Sequence, residues 1–156
     1  MPILETRTLQ WPDEAACAAS AQSLARHPEI RDAKIELEGQ LAAGKTTFAR
    51  HLLRALGVAG RVKSPSYTVV EPYDLPDGAK AWHFDFYRFE DPREWEDAGL
   101  RELFAARGLK LSEWPEKAAG LLPEPDLRIR FEVLGERRRG ATFEACSATG
   151  RALLPW

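Results

Sequence analysis

The chain has 156 residues, with 22 basic and 24 acidic side chains and a formal net charge of −2, a length that suits one domain and is short for an enzyme with a separate substrate lid. That charge excludes a global attraction to nucleic acid, so any RNA contact has to be local or made through a partner. Cys17 and Cys146 form no CxxC pair or spaced framework, and no apolar run approaches the roughly 18 residues of a membrane span, so a cytoplasmic protein off the membrane is expected.

Ile3 to Trp11 reads as a first strand, and Pro12-Asp13-Glu14 opens an alanine-rich helix from about Glu14 to Arg26. His27-Pro28 ends it. Ala33 to Glu38 then alternates apolar Ala33, Ile35 and Leu37 with charged Lys34, Glu36 and Glu38, the pattern of a strand with one buried face. Its polar face implies a thinner cover there, because a parallel sheet sandwiched by helices reads as apolar on both sides.

The strand runs straight into Gly39-Gln40-Leu41-Ala42-Ala43-Gly44-Lys45-Thr46, which satisfies G-x-x-x-x-G-K-[ST]. Phe48, Leu52, Leu53 and Leu56 follow at helical spacing up to Gly57, so strand, glycine loop and helix arrive in the order that a phosphate-binding loop needs. Glycines let the backbone curl until successive N–H groups point at phosphate oxygens, and the helix N-terminus adds its positive dipole end. The nucleotide-binding set is therefore Gly39, Leu41, Ala42, Ala43, Gly44, Lys45, Thr46 and the adjoining Thr47. Lys45 reaches the β- and γ-phosphates, and the Thr46 hydroxyl is placed for a Mg²⁺ bridging them. A nucleoside triphosphate with Mg²⁺ is the expected occupant. Trp11, near the end of the first strand, is a candidate to stack on its base.

Val62 to Thr68 is rich in hydroxyls, and Ser64, Ser66 and Thr68 stand where many P-loop nucleotidases keep a switch that senses the γ-phosphate; an ordinary Ser/Pro turn is the other reading. A strand from Thr68 to Tyr73 and a turn at Pro76-Asp77-Gly78 follow. Ala81 to Tyr87 is the next strand, with Trp82, Phe84 and Phe86 on one side and His83, Asp85 and Tyr87 on the other. Asp85 at the end of that apolar run fits the acid that holds Mg²⁺ or its water against the phosphates. His83 reads as a packing or hydrogen-bonding residue, since no second histidine sits at metal-site spacing.

Asp91 is the expected N-cap of a helix with Pro92 at its first position, and Gly99 separates it from a second short helix ending near Gly108. Leu109 to Ser112 is a strand delivering Glu113-Trp114-Pro115-Glu116-Lys117 to the phosphate edge of a parallel sheet. Glu113 is the second acidic candidate for the metal or the attacking water; a surface acid beside a turn proline is the alternative. Leu127 to Val133 and Ala141 to Ser147 form a closing hairpin around Gly135 to Gly140. Arg137-Arg138-Arg139 at its tip reads as a solvated turn or as an RNA or partner contact.

With the P-loop, Val62 to Thr68, His83-Phe84-Asp85-Phe86-Tyr87-Arg88 and Glu113-Trp114-Pro115-Glu116-Lys117 in this order, the sequence resembles the TsaE (YjeE) family over nearly its whole length. The resemblance implies an ATPase that acts with TsaB and TsaD when a threonylcarbamoyl group is placed on N6 of adenosine 37 of tRNA, without performing the transfer. It implies tRNA contact through that complex, phosphate held by Lys45, Mg²⁺ held by Thr46 and Glu113, and Asp85 completing the catalytic site. Ser66 and Thr68 match the switch-like segment, and Trp114 matches the tryptophan beside the metal-binding acid. Ala42 departs from the family's usual glycine and Ser66 from its usual threonine.

Together these readings predict a single α/β P-loop NTPase domain over residues 1–156, its mixed sheet parallel in the centre, flanked by helices and edged by antiparallel hairpins. A GTPase is excluded because its Asn-Lys-x-Asp element needs an asparagine, which the chain lacks. Two rivals stay open: a small-molecule kinase, for which no arginine-rich lid follows Asp85, and an assembly module in which ATP chiefly sets partner affinity.

Overall fold

A computed structural model describes residues 2–63, 65 and 69–155. Its strands are β1 (Glu5–Trp11), β2 (Lys34–Glu38), β3 (Val70–Asp74), β4 (Lys80–Asp85), β5 (Leu109–Glu113), β6 (Leu127–Val133) and β7 (Arg139–Ala145). Its helices are α1 (Glu14–Ala25), α2 (Lys45–Ala55), α3 (Arg93–Asp97), α4 (Leu100–Ala105) and α5 (Ala148–Ala152). The strands form one seven-stranded sheet in the order β1-β7-β6-β2-β5-β4-β3. The central pairs β6-β2, β2-β5 and β5-β4 are parallel, and β1-β7, β7-β6 and β3-β4 are antiparallel. The expected mixed sheet, parallel in the centre with hairpins at its edges, is what forms.

The two faces of the sheet are covered differently. Ile35, Leu37, Leu109, Leu111, Leu127 and Ile129 point to one face and form a single buried core with Phe48, Leu52 and Leu53 of α2 and with Ala21 and Leu24 of α1. On the other face α3 and α4 bring Trp95, Leu100 and Phe104 onto Trp82, Phe84 and Phe86, a separate aromatic core in which Phe84 stacks on Phe104 with centroids 4.5 Å apart. Beyond it, over β2, β6 and β7, the same face carries charges. Arg128 lies 3.4 Å from Glu36 and 2.5 Å from Glu38, and Glu144 stands near both Arg128 and Arg130. That ladder is the thinner cover which the polar side of β2 implied, because carboxylates and guanidinium groups on a sheet satisfy one another without a helix above them.

Most element ends differ from expectation by a residue or two, while α4 stops at Ala105 rather than near Gly108 and α5 is a short helix not expected from the sequence. α1 starts where Asp13 Oδ1 accepts the Ala16 N–H at 3.0 Å. α3 begins at Arg93, one turn residue after the expected start, yet Asp91 still accepts the Arg93 N–H at 2.9 Å. Glu94 returns the contact by accepting the Glu90 and Asp91 N–H groups, a reciprocal cap. β4 stops at Asp85 rather than Tyr87 because Asp85 Oδ1 accepts the Tyr87 N–H, which turns the chain out of the sheet. At the β6-β7 tip the Arg139 guanidinium donates to the carbonyls of Gly135, Glu136 and Arg138, so this arginine of the basic tip closes its own turn. Both cysteines are free thiols, and burial pushes the Cys17 thiol up to about 12.

Candidate functional site

The loop from Gly39 to Gly44 joins β2 to α2 at the carboxyl edge of the parallel strands. Gly39 sits at φ 152°, where an added Cβ would lie 2.8 Å from the Phe131 carbonyl oxygen, so only glycine lets the loop leave the sheet this close to β6. Gly44 precedes α2 at φ 107° and offers no side-chain cap, which leaves the first-turn N–H groups to an outside acceptor. Ala42, at φ 64°, holds the left-handed conformation that glycine takes without strain. The departure from the family glycine therefore falls where it strains the backbone, by about 1 kcal/mol, and the loop keeps its curl.

Strand register brings the acids to this loop. Asp85 pairs with Glu113 across β4 and β5, and Glu113 pairs with Leu37 across β5 and β2, the strand that feeds the loop. Glu113 is 2% exposed. Its carboxylate accepts from the Thr46 hydroxyl, 2.9 Å from each oxygen, and Oε2 lies 2.6 Å from His83 Nε2. Lys45 donates to the Gly39 carbonyl and, at 3.1 Å, to that of Gln40, and its ammonium lies 3.9 Å from the centroid of the Trp114 ring. Burial holds the Lys45 ammonium below its ordinary range, against the pull of Glu113, Glu116 and Asp85. Burial also raises the Asp85 carboxyl, an effect that the hydrogen bond from Tyr87 opposes.

These groups border a cleft of about 640 Å³, which Leu41, Thr47 and Arg88 also line. A hydroxyl and a buried carboxylate in contact, with a second carboxylate facing the same space, are hard oxygen donors of the kind Mg²⁺ prefers, and Mg²⁺ sites commonly take few protein ligands beside phosphate. The donor set therefore fits that ion. Among the described residues no group of three or more His, Cys, Asp and Glu side chains is arranged to hold a metal. Among the described residues no helix is long and apolar enough to cross a membrane.

The model of the family described as "Threonylcarbamoyl adenosine biosynthesis protein TsaE" matches residues 11–141. The chain belongs to the TsaE family. It is 38% identical over 140 residues to the tRNA threonylcarbamoyladenosine biosynthesis protein TsaE of Haemophilus influenzae, covering 86% of this chain and 87% of that one. The protein of the same name from Bacillus subtilis is 36% identical over 146 residues, covering 93% of this chain and 87% of its own. Among solved structures, that of Bacillus subtilis YdiB superposes with a TM-score of 0.79 at 27% identity, covering 98% of this chain and 94% of that one.

In this member of the TsaE family the fold brings Lys45, Thr46, Asp85, Glu113 and Trp114 to one cleft from three separate parts of the sequence. Trp114 takes up φ 55°, an uncommon conformation for a bulky residue, and its ring lies beneath the Lys45 ammonium. Trp11 has a different use from the one expected. It is 3% exposed, stacked on Phe48 at 5.7 Å and packed against Phe131, with its indole N–H donated to Ser20, so neither ring face is open to an adenine. The switch candidates Ser64, Ser66 and Thr68 lie outside the described residues.

Two contributors were not singled out for the site from sequence. His83 is a hydrogen-bonding residue, as its isolation implied, but its partner is the proposed metal-binding carboxylate. Its spacing of two from Asp85 carried the signal, since residues two apart on a strand share a face. Arg88 lines the same cleft, and no spacing rule would have placed it there.

Proposed function

We propose that the chain binds and hydrolyses Mg·ATP, and that this cycle serves formation of the threonylcarbamoyl group on N6 of adenosine 37, in tRNAs reading codons that begin with A. In this reading it acts in the cytoplasm with TsaB and TsaD, meets tRNA through that complex and does not perform the transfer. The observation that carries the reading is the contact of the Thr46 hydroxyl with the buried Glu113 carboxylate, 2.9 Å apart beside the glycine loop and its lysine. A P-loop with a hydroxyl and an acid so joined is built for a triphosphate and its metal.

Each residue then has a task. The loop N–H groups take the phosphate oxygens, and Lys45 moves its ammonium from the Gly39 and Gln40 carbonyls to the β- and γ-phosphates. Thr46 and Glu113 would hold Mg²⁺, with Asp85 holding it or its water. When bound, the ion neutralises charge that builds on the phosphate oxygens. Asp85 keeps Oδ1 occupied by the Tyr87 N–H, which leaves Oδ2 to accept a hydrogen bond from the attacking water and orient it. The rim of the cleft carries the exposed side chains of Leu41 and Tyr87, 69% and 46% accessible. A site this open admits water that competes with its electrostatics, so turnover is slow for the isolated chain and rises when partners cover it.

The test is phosphate release from Mg·ATP by the chain alone and with TsaB and TsaD, alongside tRNA modification with the chain omitted or restored. Release that accelerates with partners, and modification that depends on the chain, support the proposal. Equal release rates would count against partner control, and binding of ATP without any hydrolysis would favour an assembly module.

A further inference from the structure

We infer that His83 is a positioning residue for the metal site: it donates from Nε2 to Glu113 and holds that carboxylate in the orientation that meets Thr46. The inference rests on the reading of Glu113 as a Mg²⁺ ligand.

His83 is 0% exposed. It lies in the middle of β4, in register with Leu111 and on the same face as Asp85, so its ring extends beneath the end of β5, where Glu113 stands. Nε2 is 2.6 Å from Glu113 Oε2, while Nδ1 is buried with no hydrogen-bond partner among the described residues. That asymmetry assigns the proton. A hydrogen on Nδ1 would be a buried donor with no acceptor, whereas a hydrogen on Nε2 meets a carboxylate, so the imidazole donates from Nε2 and leaves only a lone pair unmatched.

Glu113 has three rotatable side-chain bonds and, among the described residues, two hydrogen-bond partners, Thr46 and His83, which are not equivalent. Thr46 would lend the same oxygen to the ion, so its contact with Glu113 would compete with ion binding. His83 would not ligate the ion, so nothing in ion binding competes for its contact with Glu113. An outer contact of this kind pre-orients a ligating carboxylate, and its loss typically lowers metal affinity about 10–100-fold. A residue serving only to fill β4 would have no need of an N–H aimed at this one oxygen; an apolar side chain would fill the space without an idle nitrogen.

The experiment measures Mn²⁺ binding by electron paramagnetic resonance in the presence of a non-hydrolysable ATP analogue. Analogue binding without metal and thermal unfolding are followed in parallel. His83→Leu is expected to weaken Mn²⁺ about 10–100-fold while leaving metal-free analogue binding unchanged. His83→Gln, whose amide nitrogen falls near the place of Nε2, restores Mn²⁺ binding to near wild type. His83→Asn places its amide near Nδ1 and does not restore it. Should His83→Leu fail to fold, the contrast between glutamine and asparagine still decides. Wild-type Mn²⁺ affinity in His83→Leu, or equal losses in the glutamine and asparagine variants in step with their stability, would overturn the inference. Glu113→Gln serves as the reference. If it loses Mn²⁺ while His83→Leu does not, only the role of His83 falls; if it keeps wild-type affinity, the reading of Glu113 as a ligand falls.

Discussion

Replacing Glu113 by glutamine and by alanine separates the chemistry of this carboxylate from its part in the fold. In the wild type, a side chain 2% exposed accepts from a hydroxyl at 2.9 Å and an imidazole nitrogen at 2.6 Å. Glutamine keeps the shape and one carbonyl acceptor, and the weaker neutral bond is offset by relief from burying a charge. Its net effect on stability is within about 1 kcal/mol. Alanine leaves the His83 N–H buried with no acceptor and opens a small cavity, a loss of about 2–4 kcal/mol. Unfolding entropy near 2.1 cal/mol/K per residue gives roughly 0.33 kcal/mol/K for 156 residues. The expected drop in Tm is then about 6–12 °C for alanine and about 3 °C or less for glutamine. Phosphate release should fall at least about 100-fold in both, near 2.7 kcal/mol of transition-state stabilisation. Calorimetric melting and a phosphate assay on the same preparations check both halves. Wild-type turnover in Glu113→Gln would refute the proposed role, and equal Tm values for the two variants would refute the account of the buried contact.

Lys45→Ala should weaken a triphosphate analogue by about tenfold or more and ADP by less, because the ammonium is placed for both β- and γ-phosphates; titration calorimetry with the two nucleotides checks the order. Asp85→Asn should abolish hydrolysis yet raise Tm at pH 7. Burial raises the native Asp85 carboxyl, so its contribution to stability is present below the ordinary carboxylate range and is lost as pH rises through the raised value. The Tm advantage of asparagine should therefore shrink as pH falls toward about 4, and a constant advantage would contradict that cause. Gly39→Ala should lose about 2 kcal/mol or more, since its Cβ would meet the Phe131 carbonyl at 2.8 Å; a melting curve within about 2 °C of wild type would contradict that clash.

The glycine loop between β2 and α2 was legible because its information is local: a strand, two glycines, a lysine and a hydroxyl lie within one short stretch, and spacing alone orders them. Asp85 and Glu113 were legible as acids at strand ends, but strand-end acids are common, and their significance depended on whether the strands were neighbours. The misreading of Trp11 has the same origin. An aromatic residue at the end of a strand is compatible with a ligand platform or with a core, and only the position of Phe48 and Phe131 around it distinguishes the two.

Taken alone, the order of residues determined where the glycine loop lies, most of the strands and helices though not α5, that the sheet is mixed, and that the cover over one side of β2 is thinner. Each follows from periodicity or from backbone conformations that few residue types adopt. The tertiary structure decided what meets what: Thr46 with Glu113 across 67 residues, His83 with Glu113 across 30, and β1 against β7 at the edge of the sheet. Those contacts depend on strand order and register. Both are set by how the apolar face packs across the sheet and the aromatic core packs on its β4 side, which no local stretch of sequence encodes.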